Sequence, residues 1–546
     1  MAQFDFDYLI VGSGFGGSVS ALRLAEKGYS VGVLERGKRW RTGDFPRTNW
    51  NVPKYLWAPK FLCYGIQAIT LLRDVMVLHG TGVGGGSLVY ANTLLVPPDR
   101  VFEDPRWRGL GDWKNDLAPH YAVAQKMLGV TTAKCQTEMD HMLLELAQDM
   151  GREQTYHPTN VGVFFGKPGE TVPDPYFDGE GPERTGCIEC GGCMVGCPHN
   201  AKNTLDKNYL YLAERRGATV IPETDVLDIR ELDGGGYEIE TRKITDLIFK
   251  RRTTYRCRGV VMSGGVLGTV PLLLKCRENG SLPRISASLG DFVRTNSEAL
   301  LGASARRTDV DYSRGIAIAS GFQLDDETNV EMVRYGKGQD FMSLLTTILV
   351  GGGPPWPRPL RFIAAILRHP WTFLRFLYPF NWMHRTGILL VMQSLPNYMR
   401  LTRRRRWYWP FSKTVDSVWE SDAKVPKYFP QANALAERLA EKMEGDACSS
   451  LPEVALNLTS TAHILGGCPM GQDASDGVID KYGRLFGYDN FYVADGSVVP
   501  VNLSVNPSLT ITALSEWIMS HVPENTTTQN APASADVGAE SAQVNV

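Results

Sequence analysis

The strongest constraint on this chain is a glycine pattern close to its start. Gly12, Gly14 and Gly17 form Gly-x-Gly-x-x-Gly directly after the apolar residues 8–11. Residues 21–26 favour helix, and a β-rich stretch, 29–34, leads into Glu35, twenty-three positions after the first glycine. The order is strand, tight turn, helix, strand. Gly12 permits the turn, Gly14 lets backbone approach a pyrophosphate, Gly17 lets helix pack on strand, and the helix N-terminus favours phosphate. Phe15 and Gly16 complete the turn, and Glu35 is placed to accept ribose hydroxyls. The pattern predicts a doubly wound, Rossmann-like α/β domain for a dinucleotide, but NAD and FAD present the same adenosine and pyrophosphate to it. A second glycine-dense loop, residues 79–87, offers Gly82, Gly85, Gly86 and Ser87 as bare backbone for a flat cofactor ring. The plainer reading of that loop is a flexible surface turn.

Further strands are read at residues 219–239, 260–262 and 491–494, so the nucleotide domain is expected to be assembled from 1–100, 187–300 and 456–522. Segments 101–186 and 301–455 lack the βαβ rhythm, are rich in aromatics and prolines, and are assigned to a substrate-covering domain. Residues 523–546, dominated by small and polar side chains, are expected to be disordered. A formal charge of -2, from 57 basic and 59 acidic residues, gives no global field for a polyanion, and nucleic-acid binding is not expected. The start of the chain carries Asp5 and Asp7 instead of a basic, apolar leader. No run reaches the roughly 18 apolar residues of a spanning helix. The expectation is a cytoplasmic protein.

Three glycine segments, 12–17, 82–88 and 263–269, followed by Thr461-Ala-His-Ile-Leu-Gly-Gly-Cys-Pro-Met-Gly471, Tyr492-Val-Ala-Asp-Gly-Ser497 and Val505-Asn-Pro-Ser-Leu-Thr-Ile-Thr-Ala-Leu514, together resemble the glucose-methanol-choline oxidoreductase family, in particular its cholesterol oxidase-like branch. Residues 203–210 are similar to the same branch. The resemblance implies non-covalently bound FAD, held by the nucleotide domain beneath an α+β domain whose antiparallel sheet roofs the substrate pocket. It implies FAD contacts from the two glycine turns and from Val226, Gly265, Asp495, Gly496, Asn506 and Pro507. Asn92 is the asparagine nearest the position the family uses after its flavin-side loop, where this chain has Tyr90 and Ala91. His79 is out of register with the histidine that some members link to FAD.

Oxidising an alcohol removes a hydroxyl proton and a carbon-bound hydride, so a base of near-neutral pKa must stand beside a hydride acceptor. By resemblance His463 is that base and Asn506 the anchor that orients the substrate oxygen. The implied substrate is a bulky apolar alcohol, a 3-hydroxysteroid first, with a long-chain or terpenoid alcohol as the alternative; a flavin electron-transfer module without alcohol chemistry is the reading from another class. Glu298 reads first as a surface salt-bridge residue, with a pocket proton carrier, able to isomerise a steroid double bond, as the alternative.

Cys187-x-x-Cys190-x-x-Cys193-x-x-x-Cys197-Pro198 matches a ferredoxin spacing for an iron-sulfur cluster. Gly191, Gly192 and Gly196 allow the tight path; a single cluster needs Cys197 in a different role from the one it has in two-cluster ferredoxins, a remote ligand such as Cys276 or Cys448, or only three cysteine ligands. The rival is a zinc held by four thiolates, or free thiols. A cluster would let electrons leave singly to a one-electron carrier; without one, oxygen is the expected acceptor. Finally, residues 354–385 intersperse arginines with Trp356, Phe362, Ile366, Trp371, Phe373, Leu374, Phe376, Leu377, Tyr378, Phe380 and Trp382, broken by Pro359, Pro370 and Pro379. Such pieces suit a lipid interface or an aromatic lid. Residues 403–409, four arginines and then Trp-Tyr-Trp, read as a strand with one solvated face.

Overall fold

The computed structural model describes residues 3–246, 250–353, 355–406, 409–419 and 424–526. Residues 527–546 of the expected disordered tail, Trp407 and Tyr408 of the arginine-aromatic run, and Pro354 lie outside the described residues.

The first sheet is built on the glycine turn. Phe6–Val11 pairs in parallel with Val31–Leu34 on one side and with Arg252–Met262 on the other. Thr219–Ile221 extends the parallel set beyond Val31–Leu34. The long strand Arg252–Met262 changes partner along its length: its first half pairs antiparallel with Tyr237–Lys243, while Val260, Val261 and Met262 pair in parallel with Phe491–Val493. Thr224–Glu231 closes that edge. The central strands are buried on both faces, which is why they read as continuous apolar runs with no alternation. Helices Phe15–Glu26, Val266–Asn279 and Ser508–Ser520 cover the sheet.

The second sheet has seven strands, all antiparallel, in the order Thr346–Ile348, Gly445–Ser450, Ala299–Ala305, Thr386–Gln393, Thr328–Val333, Ile318–Gln323 and His157–Pro158. Here the two-residue period of a strand decides what each side chain meets. Leu301, Ala303, Val330, Met332, Leu389 and Val391 share a core with Leu435 and Leu439 of helix Pro430–Lys442 and Leu143 and Leu146 of helix Glu138–Asp149. The alternate residues Leu300, Val333, Ile388 and Leu390 turn to the opposite face, toward the first sheet. Deleting one such core leucine costs about 2–5 kcal/mol. A buried ion pair, Arg334 to Asp140 at 2.8 Å, ties that helix layer to the sheet.

One helix departs from the division expected from sequence. Trp113–Met127 packs on Ser508–Ser520, with Leu117, Tyr121 and Ala124 in the nucleotide-side core, and Tyr121 donates to Thr510 Oγ1 at 2.9 Å. Its buried stripe of Trp113, Leu117, Tyr121 and Ala124 at helical spacing finds its complement there, not on the antiparallel sheet.

The basic, aromatic insertion forms short helices, Arg358–Arg368, Pro370–Phe376 and Trp382–Arg385. Phe362, Phe376 and Trp382 are buried, whereas Trp356, Leu360, Ile363, Leu367, Trp371, Leu374, Leu377, Tyr378 and Phe380 are exposed. Among the described residues no helix is long and apolar enough to cross a membrane. Arg400–Arg406 is a strand whose Arg400, Arg403 and Arg404 pair with Asp291, Glu278 and Asp416 of the same chain.

Candidate active site

A cavity of about 450 Å³ is lined by both sheets. At one end stand Gly12, Gly14, Phe15, Gly16, Glu35 and Val226; Gly85, Gly86, Gly265, Asp495 and Gly496 follow; Glu298, His463, Asn506 and Pro507 complete the wall. Gly12 has a φ of +100°, and a Cβ there would come within 2.4 Å of the Ser263 carbonyl oxygen, so the turn requires glycine. A Cβ on Gly14 would instead point into empty space. Three helices begin on this wall, at Phe15, Val266 and Ser508, and their N-caps Gly14, Gly265 and Pro507 supply no side-chain hydrogen bond. Their leading N–H groups and dipoles therefore point at whatever fills the cavity and favour negative or electron-rich atoms.

Four residues expected at the cofactor stand behind the wall. Gly17 packs on the Gly12 carbonyl, and Gly82 lies within the loop next to Glu35. Ser87 donates to the Gly84 carbonyl at 2.7 Å and accepts from the Leu205 amide at 3.0 Å. Asn92 is fully buried with a φ of +72°, and its side chain lies beside the Cys193 thiol with neither polar atom hydrogen-bonded, while its neighbours Ala91 and Thr93 face the cavity. The left-handed backbone at Asn92 turns it away from the position expected of it. Glu35 uses Oε2 to accept from Ser13 N and Oγ at 3.1 and 2.7 Å, and Oε1 to accept from Gly37 N at 2.8 Å. Asp495 accepts from Gly265 N and Thr269 Oγ1 at 2.8 and 2.6 Å and from Ser497 N and Oγ at 2.8 and 2.5 Å, so it fixes the turn at Gly265. Burial raises its carboxyl pKa above the ordinary value, against those hydrogen bonds. His79 lies on the wall with Nε2 2.9 Å from Thr70 Oγ1, and burial, with Arg36 nearby, lowers it to about 3, so it is neutral.

At the far end the structure unites residues far apart in sequence. His463 Nδ1 lies 2.6 Å from Glu298 Oε1, ion-pair distance although off hydrogen-bond alignment. Glu298 is 1% exposed, so the surface salt bridge expected of it is replaced by a buried one: Thr461 Oγ1 and the Ala462 amide donate to its two oxygens at 3.0 and 2.8 Å. Burial works to lower the His463 pKa, but the Glu298 carboxylate and, more weakly, Glu331 leave it raised. Asn506 Nδ2 donates to Glu331 Oε2 at 3.3 Å, while Asn506 Oδ1 is buried without a partner. Glu331, held by burial at about 7, was missed from sequence. Its signal was a lone acid in the fully buried strand Thr328–Val333, where alternation puts it on the same face as Val333. The rest of this end is apolar, with Leu300, Ile318, Val333, Trp382, Ile388 and Leu390.

The chain has known relatives. Residues 10–46 match an NAD(P)-binding Rossmann-like domain and residues 396–515 match the model for GMC oxidoreductase. The chain is similar to a cholesterol oxidase of Acinetobacter baumannii, 46% identical over 95% of each chain. The chain belongs to the GMC oxidoreductase family. A cholesterol oxidase of Mycobacterium tuberculosis is 45% identical over 97% of this chain and 93% of its own. The crystal structure of pyridoxine 4-oxidase from Mesorbium loti shares the fold, with a TM-score of 0.58 at 16% identity, covering 94% of this chain and 98% of the other. As a GMC oxidoreductase, the protein is an FAD-dependent enzyme acting on CH–OH groups. The wall fits the cofactor: the empty space beside Gly14 and the three uncapped helix starts are what a pyrophosphate and a flavin ring require.

Proposed function

We propose that this GMC oxidoreductase converts the 3-hydroxyl of a sterol, or of a closely related bulky alcohol, to the ketone. The observation that carries the reading is His463 seated on Glu298 at one end of an apolar cavity, beside the unpartnered Asn506 Oδ1. FAD bound along the glycine wall would accept the hydride from the carbinol carbon. Asn506 Nδ2 keeps one N–H beyond the one it gives Glu331 and donates it to the substrate oxygen, which fixes the direction of the hydroxyl and leaves its proton facing His463. His463, its Nδ1 facing Glu298, takes the hydroxyl proton on Nε2, and Glu298 stabilises the imidazolium that forms. Leu300, Ile318, Val333, Ile388 and Leu390 exclude water from the reacting oxygen and give ring-sized apolar bulk a place to lie. The two 45–46% identical relatives bear the name cholesterol oxidase, which supports a sterol over a straight-chain alcohol, and oxygen as an acceptor.

The same enzyme works at a lipid surface. Leu360, Ile363 and Leu367 fall at i, i+3 and i+7 on one face of Arg358–Arg368, with Trp371 and Leu374 continuing it on the next helix, all exposed. A helix face of this size turned to solvent, flanked by Arg361 and Arg368, suits insertion at the headgroup boundary of anionic lipid. Strand Thr346–Ile348 packs on helix Pro370–Phe376, and its Thr346 lines the cavity, so a sterol has a short path from lipid to site. None of the ten cysteines is joined in a disulfide, which suits a reducing compartment such as the cytoplasm.

The test is anaerobic mixing of the FAD-loaded enzyme with a 3β-hydroxysterol or with a long-chain primary alcohol, following flavin absorbance. Bleaching by the sterol, lost in His463→Gln with FAD still bound, supports the reading. Bleaching by the straight-chain alcohol alone overturns the substrate; unchanged bleaching in His463→Gln overturns the base.

A further inference from the structure

We propose that Cys187, Cys190, Cys193 and Cys197 hold an iron-sulfur cluster one residue layer behind the wall of the large cavity. All four thiols line one small cavity of their own, between the loop 187–202 and Gly315. The other cysteines considered as remote ligands lie elsewhere, Cys276 in the nucleotide-side core and Cys448 beneath helix Arg358–Arg368. Cys197 is therefore the fourth member of this site.

Their spacing, two residues, two residues and then three before Cys197-Pro198, is the ferredoxin spacing of a cluster and sets it against a single ion. A zinc ion draws its thiolates to about 2.3 Å from one centre. A cluster carries its own bridging sulfides and takes thiolates at its separate iron corners, so a wider ring of sulfur is what it needs.

The surroundings are those of an anion. The loop winds through left-handed residues, Glu189 at φ 56°, Gly191 at 69°, Gly196 at 97° and Cys197 at 62°, so that backbone amides turn onto sulfur. Glu189 N donates to Cys187 Sγ and Lys202 N to Cys197 Sγ, each at 3.4 Å. Arg184, Lys202 and Lys207 are 2%, 1% and 6% exposed, while the acid in their midst, Asp206, is only half-buried. Lys202 Nζ donates to the carbonyls of Leu88 and Cys193 at 3.1 and 2.8 Å. Lys207 Nζ is buried without a hydrogen-bond partner. Three buried cations against one carboxylate are costly unless further negative charge is present, and four thiolates on an iron-sulfur core supply it.

The site also adjoins the large cavity. Met194, between two of the cysteines, lines that cavity, and Asn92, at the Cys193 thiol, is flanked by the lining residues Ala91 and Thr93. A cluster there can pass on the two electrons of one alcohol oxidation singly, reducing two molecules of a one-electron carrier per ketone formed. That role, unlike the site itself, rests on the FAD reading.

The full-length protein, produced with iron and purified without oxygen, is assayed for iron, acid-labile sulfide, zinc and FAD separately. Iron and sulfide in equal amounts, with a broad absorbance beneath the flavin bands and an electron paramagnetic resonance signal in the oxidised or dithionite-reduced protein, are expected. Cys190→Ser and Cys193→Ser should lose the iron while FAD stays at one per chain. Zinc without sulfide, or neither metal even after anaerobic reconstitution with iron and sulfide, overturns the proposal. Iron and sulfide without FAD would sink the flavin reading and leave the cluster standing.

Discussion

The two ends of the large cavity are built by opposite strategies. The glycine end is mostly backbone: Gly12, Gly14, Gly265 and Gly496 offer bare surface, and helix starts supply the electrostatics. The far end is mostly side chain: His463 and Asn506 are correctly placed only because Glu298 and Glu331, from distant parts of the chain, hold them. Backbone can bind what every GMC enzyme shares, the cofactor, because main-chain donors do not vary with sequence. Side chains must decide which alcohol reacts and when its proton leaves.

The comparison is broken most easily by mutations that should each damage one end only. His463→Ala is expected to slow alcohol-dependent flavin reduction by about 10²–10⁴-fold, the worth of a positioned base. FAD content should be unchanged, checked by stopped-flow absorbance against bound flavin. Gly14→Ala puts a methyl group into the space left for pyrophosphate, with a φ of -70° that alanine adopts freely. FAD should bind about tenfold more weakly, equivalent to ~1.4 kcal/mol, with reduction at saturating FAD retained. A drop in FAD affinity in the first variant, or in saturated turnover in the second, would show that the ends are not separable.

A smaller effect sharpens the picture of the far end. Because the base must be neutral before it accepts a proton, kcat/KM should fall as pH drops through the raised pKa of His463. Glu298→Gln removes the charge that raises this pKa and leaves the burial that lowers it. The acid limb should then move to lower pH and the plateau should fall; a limb that stays in place would assign it to another group, such as Glu331 near 7. The smallest effect is expected outside the cavity. Leu367→Ser with Trp371→Ser should weaken sedimentation with anionic vesicles and slow oxidation of vesicle-borne sterol, while detergent-dispersed sterol reacts at the normal rate. Equal rates in both assays would remove the lipid surface from the account.

How much of this was legible follows from the range of each interaction. The glycine turn, Glu35, and the strands at 219–221 and 491–493 could be read directly, because a turn and an apolar strand are local properties. His463 and Asn506 were singled out through contiguous motifs, and both line the cavity. Glu298 was misjudged as a surface residue because nothing around it in Arg-Thr-Asn-Ser-Glu announces burial, and its partner lies 165 positions away. Asn92 was placed at the flavin because sequence proximity does not show which way a left-handed residue points its side chain. Residues 113–127 were assigned to the wrong layer because an apolar stripe states that a helix packs, not on what.

The sequence by itself determined a nucleotide-binding α/β architecture and the residue types for alcohol oxidation, because backbone freedom at glycine and the apolar period of strands act within a few residues. Only the tertiary structure decided which carboxylate charges His463, that Glu331 backs Asn506, that four thiols and three buried cations share one corner, and that the leucines of Arg358–Arg368 face outward. Each of those is a meeting of side chains distant along the chain or a choice of which helix face to bury, and packing, not local preference, sets it.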